Sequence, residues 1–141
     1  MLRILIVDDN SGFISLLKEM LEEEGRCRVA TAGNGEDGYR TFLRFRPDVI
    51  LTDIEMPLKN GLEMVKKIRM CCPRIKIIYM SGHLKRYREV LEKEIKEYKA
   101  SLIDKPFSFS KVVRMFDEYR NEIKLPAVSG GVSGGLKNIR Y

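Results

Sequence analysis

Five short apolar runs recur along the chain, and they constrain its fold more than any other feature. The runs are rich in Ile, Val and Leu and do not alternate with polar residues, which is typical of strands buried on both faces of a parallel sheet. They are Leu2–Val7, Cys27–Thr31, Val49–Thr52, Ile75–Met80 and Ser101–Asp104.

The segments between the runs carry apolar residues at helical spacing. The first segment places them at i, i+3, i+4, i+7 and i+8, which makes one stripe: Phe13, Leu16, Leu17, Met20 and Leu21. The fourth, residues 84–98, uses Leu84, Val90, Leu91, Ile95 and Tyr98. Asn34 and Ser108 are suited to cap the second and fifth helices, and the third is expected to start after Asn60-Gly61.

Five strand–helix units with right-handed crossovers place helices on both faces of a parallel sheet, so the predicted fold class is α/β. In such folds ligands bind at the carboxyl ends of the strands, near the point where the strand order reverses. The spacing of the runs leaves the strand order itself open.

Polar residues suited to phosphate or metal chemistry follow four of the five runs. Asp8 and Asp9 follow the first run, Asp53 the third, Ser81 the fourth and Lys105 the fifth. The second run contributes only a helix cap. Taken singly, each of these residues is more often a cap, a loop residue or a surface residue. Their occurrence together at the ends of parallel strands predicts one site at one edge of the sheet.

Three carboxylates at one edge repel each other, and their ionised forms need a cation. A hard divalent ion with oxygen ligands suits two or three such groups, so we expect Mg²⁺. A carboxylate is an accepted nucleophile for phosphoryl groups. Converting one of the three to an acyl phosphate would add negative charge, which the Ser81 hydroxyl and the Lys105 ammonium could bind.

Composition excludes several other classes of protein. A chain of 141 residues with 44% hydrophobic and 33% charged residues is ordinary for one globular domain. The three cysteines, Cys27, Cys71 and Cys72, are expected to be reduced thiols in a cytoplasmic protein. The only histidine, His83, has no suitably spaced partners for zinc. No apolar stretch is long enough to span a membrane, and we expect no signal peptide.

The net charge of +6 raises the alternative of a nucleic-acid surface. The basic residues, however, lie on helices that also carry Glu. Arg88 and Glu92, like Glu89 and Lys93, are opposite charges one helical turn apart. We therefore favour a solvated helical face and expect no direct binding of nucleic acid by this chain.

The residues at the strand ends resemble those of response-regulator receiver domains of two-component systems. The matching pieces are Val7-Asp8-Asp9-Asn10, Asp53-Ile54-Glu55-Met56-Pro57 with Gly61 four residues on, Ser81-Gly82, and Lys105-Pro106-Phe107. The resemblance covers residues 1 to about 122. It implies a flavodoxin-like (βα)5 three-layer sandwich whose parallel strands have the order 2-1-3-4-5.

The resemblance also implies a role for each matching residue. Asp53 would accept the phosphoryl group from a sensor histidine kinase or a histidine phosphotransfer protein. Asp9 and Asp53 would ligate Mg²⁺ directly, Asp8 would assist through water, and the Glu55 backbone carbonyl would complete the protein ligands. Lys105 would pair with the carboxylate and then with the phosphoryl group, and its peptide bond to Pro106 would be cis. Ser81 would be the switch hydroxyl.

Two positions depart from the family pattern or add to it. Leu102 stands three residues before the lysine, where the family usually carries the Tyr or Phe that couples the site to the surface of the fourth helix, fifth strand and fifth helix. Switching through loop movement alone, weak switching, and substitution by Tyr79 or Tyr98 remain open. Glu55 either faces solvent or, with His83, flanks the path of the water that hydrolyses the phosphate.

Two alternatives concern function and length. A haloacid-dehalogenase-type phosphatase also uses a strand-end Asp, Mg²⁺ and Lys, but it has Asp-x-Asp after its first strand, whereas this chain has adjacent Asp8-Asp9. We predict a receiver domain over residues 1–123 that is a phosphoacceptor switch and not an enzyme. Residues 124–141 are predicted to be a flexible tail or the start of a linker to an output domain, because they are rich in Gly and Ser.

Overall fold

The computed structural model describes residues 1–23 and 25–128, with side chains as far as Ile123. The strands are β1 (Leu2–Val7), β2 (Cys27–Ala32), β3 (Val49–Asp53), β4 (Lys76–Ser81) and β5 (Ser101–Asp104). The helices are α1 (Ser11–Glu22), α2 (Gly35–Phe45), α3 (Gly61–Cys71), α4 (Arg88–Tyr98) and α5 (Phe109–Val128). A short 3₁₀-helix, Leu84–Tyr87, precedes α4. The five predicted strand–helix units are confirmed.

All five strands pair in parallel, in the order β2-β1-β3-β4-β5. This is the flavodoxin-like order that the resemblance implied. The chain leaves β1 for β2 on one side and later returns to place β3 on the other side. The carboxyl ends of β1 and β3, where Val7 pairs with Thr52, therefore flank the point at which the strand order reverses.

Apolar side chains bury both faces of the sheet. On one face Leu5, Ile50 and Ile77 belong to one buried cluster with residues of α2, α3 and α4, among them Phe42, Met64, Ile68 and Leu91. Ile4 and Ile6 of β1 point to the opposite face, because side chains alternate along a strand, and both are fully buried. Each such side chain contributes about 1.5–3 kcal/mol of burial free energy, which fixes the strands that carry the polar ends.

Two helices bury fewer or different residues than the apolar spacing predicted. In α1 the buried residues are Ile14, Leu17 and Leu21, whereas Leu16 and Met20 are 46% and 37% exposed. The predicted stripe is therefore correct at Leu17 and Leu21, wrong at Leu16 and Met20, and it missed Ile14, because α1 has more apolar residues than one core-facing stripe requires. In α4 only Leu91 is buried. The first four residues of the predicted fourth helix, Leu84–Tyr87, form a separate 3₁₀-helix, and its different number of residues per turn shifts the phase of the apolar stripe.

The predicted starts of the helices are confirmed by capping hydrogen bonds. Asn34 Oδ1 accepts the backbone N–H of Asp37 at 2.8 Å. Asn60 and Glu63 form a capping box at the start of α3. Among the described residues, no helix combines the length and the apolar composition that crossing a membrane would require.

The chain divides into two compact units, and the sheet, α1–α4 and every predicted site residue belong to the first, Met1–Pro106. The second unit begins at Phe107 and contains α5, where Lys111 N–H donates to Ser108 Oγ at 3.3 Å. The backbone of α5 continues to Val128, past residue 124, where the tail was predicted to begin. Residues 129–141 of the predicted tail lie outside the described residues, so the domain boundary stays a prediction.

Candidate functional site

Three carboxylates meet at the carboxyl ends of β1 and β3. Asp8, Asp9 and Asp53 each offer one oxygen atom, and these atoms lie within 4.8 Å of one another. Asp8 and Asp53 are buried, with 1% and 8% of their surface exposed, and Asp9 is exposed. The structure therefore brings together the three acids that the sequence singled out, in a cluster that is open to solvent on the side of Asp9.

The start of α1 holds the first of these carboxylates. The backbone N–H of Asn10 donates to Asp8 Oδ1 at 2.9 Å. The side chain of Asn10 in turn accepts the N–H of Phe13 at 3.0 Å and caps the helix. Because the capped helix begins directly after β1, Asp8 is held at the edge of the sheet while the next residue faces solvent.

The Asp53 carboxylate is held at the end of β3 by its own backbone neighbourhood. Its Oδ1 accepts the N–H of Ile54 at 2.8 Å, and the Thr52 hydroxyl donates to its backbone carbonyl at 2.8 Å. Burial raises the pKa of Asp53; attraction to Lys105 lowers it, repulsion from Asp8 raises it further, and the net change is upward. Burial and the repulsion from Asp8 therefore outweigh the stabilisation that Lys105 gives to the ionised carboxylate.

Lys105 reaches across the site from the end of β5. Its Nζ lies 2.7 Å from Asp8 Oδ2 and 3.3 Å from Asp53 Oδ2. Burial opposes its charged form, but the hydrogen bond to Asp8 and the attraction of both carboxylates outweigh burial and raise the pKa of Lys105. Its bond to Pro106 is cis, as the resemblance implied.

Ser81 ends β4, the strand beside β3, and only 1% of it is exposed. Its Oγ accepts the backbone N–H of His83 at 2.8 Å, and its carbonyl accepts the N–H of Lys105 at 3.0 Å. The hydroxyl is therefore tied to the turn that leads into the 3₁₀-helix before α4. A movement of this hydroxyl would first alter its hydrogen bond to His83 in that turn.

Glu55 joins the loop after β3 to the segment after β4. Its Oε2 accepts a hydrogen bond from Arg86 Nη1 at 2.7 Å, and its Oε1 lies 3.9 Å from His83 Nε2. The Glu55 side chain is therefore engaged and does not simply face solvent. The partner Arg86 was missed at the level of sequence, because the two residues are 31 positions apart and no local pattern connects them.

The donor set of the acidic cluster fits a hard divalent cation. All candidate ligands of Asp8, Asp9 and Asp53 are carboxylate oxygens, which Mg²⁺ prefers. The ammonium of Lys105 neutralises one of the three charges, and the remainder matches a divalent ion. No described cysteine or histidine belongs to the cluster, so its chemistry does not match a zinc site.

Leu102 lies beside a groove between α4 and β5. The groove has a volume of about 420 Å³ and is lined by Leu84, Lys85, Arg88, Leu91, Glu92, Ile95 and Leu102. Tyr79 and Tyr98, the two aromatic residues considered as substitutes, are engaged elsewhere. The Tyr79 hydroxyl donates to Glu94, and the Tyr98 ring packs against the Arg69 guanidinium at 3.9 Å. In the described structure neither ring fills the groove.

Comparison with known proteins agrees with this geometry. The family model for the response regulator receiver domain matches residues 4–117. The chemotaxis protein CheY of Thermotoga maritima is 33% identical over 116 residues, covering 82% of this chain and 95% of CheY. A crystal structure of a CheY-like response regulator receiver domain protein from Methanospirillum hungatei JF-1 superposes with a TM-score of 0.76 at 27% identity, covering 86% of this chain and 95% of the other.

One relative is much longer than this chain. The uncharacterized transcriptional regulatory protein YesN of Bacillus subtilis is 26% identical over 142 residues. That match covers 98% of this chain but only 38% of YesN. The chain therefore spans well under half the length of this relative, whereas it spans nearly all of CheY.

Proposed function

This chain belongs to the family of response regulator receiver domains, and we propose that Asp53 is the residue through which it accepts a phosphoryl group. As a receiver domain it is a phosphoacceptor signalling switch of two-component signal transduction. The observation that carries the assignment to Asp53 is its position. It is the carboxylate at the end of the central strand β3, in contact with Lys105 and within ligand distance of both other acids.

The proposed transfer uses the buried carboxylate as nucleophile. One Oδ atom of Asp53 attacks the phosphorus of a phosphohistidine on the partner protein. The new P–O bond forms as the P–N bond breaks, and the electron pair of the P–N bond leaves with the imidazole nitrogen. Lys105 favours the ionised nucleophile against the effect of burial, because its ammonium lies 3.3 Å from Asp53 Oδ2.

Mg²⁺ is the proposed cofactor. Asp9 and Asp53 would ligate it directly, Asp8 would assist through water, and the Glu55 backbone carbonyl would complete the protein ligands. When bound, the ion would screen the repulsion between the carboxylates and the incoming phosphoryl oxygens. Lys105 already offsets one negative charge, so the site needs no further cation from the partner.

The proposed switch begins when the acyl phosphate forms. Lys105 then pairs with a phosphoryl oxygen, and the Ser81 hydroxyl moves toward another. Moving Ser81 disturbs its hydrogen bond to His83 and so biases the position of the 3₁₀-helix that precedes α4. The phosphate thereby shifts a two-state element and does not drive a further reaction.

The proposed partners are a sensor histidine kinase or histidine phosphotransfer protein and an output protein that remains to be identified. Within the range that the family model matches, we propose no enzymatic output. The length of YesN supports a second possibility, that the receiver domain is the N-terminal part of a longer regulator. The haloacid-dehalogenase-type alternative gains no support from the matches. We keep the cytoplasmic location as a proposal.

Intact-mass analysis with acetyl phosphate and Mg²⁺ tests the acceptor. Wild type should gain the mass of one phosphoryl group, and Asp53→Ala should gain none. Asp104→Ala is a matched control, because Asp104 also ends a strand but lies outside the acidic cluster. An adduct of equal yield on Asp53→Ala would overturn the assignment. Continuous release of phosphate without a detectable adduct would point to an enzyme instead.

A further inference from the structure

Two backbone hydrogen bonds hold the loop between β3 and α3. The N–H of Gly61, the first residue of α3, donates to the Ile54 carbonyl at 2.8 Å and joins the two ends of the loop. The N–H of Gly35 donates to the Lys59 carbonyl, within the loop, at 2.8 Å. Gly35 belongs to α2, so the second anchor comes from a different strand–helix unit.

Gly35 makes this contact at a distance that no other residue allows. A Cβ atom at this position would overlap the Lys59 carbonyl oxygen and would lie 2.8 Å from its carbonyl carbon and 2.9 Å from the Asn60 carbonyl oxygen. These neighbours are backbone atoms and cannot rotate away. Alanine at position 35 must therefore displace the loop, the start of α2, or both.

The loop between the two anchors has little freedom of its own. Pro57 restricts one backbone angle, and Leu58, which is 78% exposed, has a φ of 67°. A non-glycine residue adopts that unfavourable left-handed conformation only where its surroundings enforce it. Asn60, directly after Lys59, is locked as the N-cap of α3 by a capping box. A displacement at Lys59 is therefore passed back toward Glu55.

We propose that Gly35 is a positioning residue for the metal site, because it holds the loop that presents the Glu55 backbone carbonyl to Mg²⁺. This inference rests on the proposed function, in which that carbonyl is a ligand. Gly35 is not among the proposed ligands or reacting groups and would act through Lys59. We therefore expect the affinity for Mg²⁺ to depend on Gly35, a residue of α2 that carries no polar side chain.

Titration of the protein with Mg²⁺, followed by amide shifts in ¹H–¹⁵N NMR spectra, measures this effect without any phosphoryl donor. We expect Gly35→Ala to raise the Kd for Mg²⁺ by roughly tenfold, the low end of losses caused by removing groups that support metal ligands. Gly33→Ala is the matched control. It adds a Cβ two residues earlier in the same connection, where nothing lies within 4 Å, and should stay within about twofold of wild type.

A second control separates loop position from the packing of α2. Gly38→Ala also lies on α2, but its Cβ would meet the side chains of Met64 and Val7 and not the loop. It should lower stability and leave the Kd near that of wild type. Equal Kd values for folded Gly35→Ala and wild type would overturn the inference, as would an equal loss of affinity in Gly38→Ala.

A further variant tests the inference if Gly35→Ala does not fold. Asn34→Ala removes the N-cap that orders the start of α2 and so loosens the Gly35 N–H without adding a clash. If Gly35→Ala does not fold, an unchanged Kd in Asn34→Ala overturns the inference, and a rise of about threefold supports it. Absence of any Mg²⁺-dependent shift in wild type would instead contradict the proposed function, and the inference with it.

Discussion

The Tyr79 hydroxyl donates a 2.8 Å hydrogen bond to Glu94 Oε1, and this contact ties the strand that ends at Ser81 to the middle of α4. Tyr79 is fully buried, and its pKa is raised by burial and by the Glu94 carboxylate. Arg69 of α3 completes the network, since its Nη2 lies 2.7 Å from the same carboxylate oxygen. Glu94, which is partly buried, thus joins α4 to α3 through its ion pair with the buried Arg69 and to β4 through Tyr79.

Removing Glu94 from this network should be far more costly than removing a neighbouring surface charge. Glu94→Ala leaves the buried Arg69 without its carboxylate partner, so we expect a loss of about 3–5 kcal/mol in the free energy of unfolding. Glu92→Ala is the control, because its pair with Arg88 is exposed and contributes about 0–1 kcal/mol. Urea denaturation measures both, and similar losses would contradict the role of the network.

Tyr79→Phe probes the hydroxyl alone. The ring remains buried and Arg69 still pairs with Glu94, so only one hydrogen bond is lost. We expect a decrease of about 1–2 kcal/mol in the free energy of unfolding, which urea denaturation can resolve. A decrease as large as that of Glu94→Ala would mean that the phenol ring, and not its hydrogen bond, carries the stabilisation.

Replacing Asp53 should stabilise the metal-free protein at neutral pH. The pKa of Asp53 is raised in the folded state, so the ionised carboxylate is less favourable there than in the unfolded chain. This penalty is present above the raised pKa, fades as pH falls through it, and vanishes below the ordinary value of the carboxyl group. Asp53→Asn should therefore be more stable than wild type at pH 7.

The gain of Asp53→Asn should disappear in two situations, which thermal denaturation with EDTA or Mg²⁺ can separate. It should shrink as the pH approaches 3–4, because wild type then binds its proton. It should also shrink as Mg²⁺ is added, because the proposed binding of the ion would stabilise the wild-type folded state by mass action. A variant that is less stable than wild type at pH 7 in EDTA would contradict the direction of the pKa change.

Strand ends and helix caps were predictable because their chemistry is local. Asp8, Asp53 and Lys105 could be placed at one edge without knowing the strand order, since parallel strands present all their carboxyl ends together. The strand order came only from the family resemblance. The cap at Asn34 was readable because a capping side chain and the N–H that it binds are three residues apart.

Contacts between distant segments were not predictable from the sequence. Glu55 and Arg86, or Arg69 and Glu94, carry charges that the sequence contains in abundance, so nothing distinguishes the paired ones from the solvated ones. The left-handed conformation of Leu58 also has no local signal, because it is imposed by the anchors of its loop. These features depend on tertiary geometry.

The contact between Glu55 and Arg86 should lengthen the lifetime of the acyl phosphate. It joins the loop after β3 to the 3₁₀-helix after β4, and we expect its release to open the site to water. We expect Arg86→Ala and Glu55→Asn each to speed autodephosphorylation by about threefold or more, because water exclusion protects a reactive intermediate. His83→Ala should act less, since its contact with Glu55 is 3.9 Å. Arg88→Ala, on the exposed side of α4, is the control, and phosphate release measures all four rates.

For these variants, rates within twofold of wild type at Arg86 and Glu55 would show that the contact has no part in phosphate lifetime. An equal acceleration in Arg88→Ala would instead mean that a general loss of positive charge near α4 speeds autodephosphorylation.

Leu102 should not prevent switching, because the connection from Ser81 to α4 does not pass through its side chain. The Ser81 hydroxyl binds the N–H of His83, and Arg86, three residues further on, binds Glu55. We therefore expect acetyl phosphate with Mg²⁺ to change amide hydrogen exchange in residues 82–88 to a similar extent in wild type and Leu102→Tyr. Asp53→Ala should show no change. A response that appears only in Leu102→Tyr would mean that an aromatic side chain is required and that wild type receives phosphate without transmitting it.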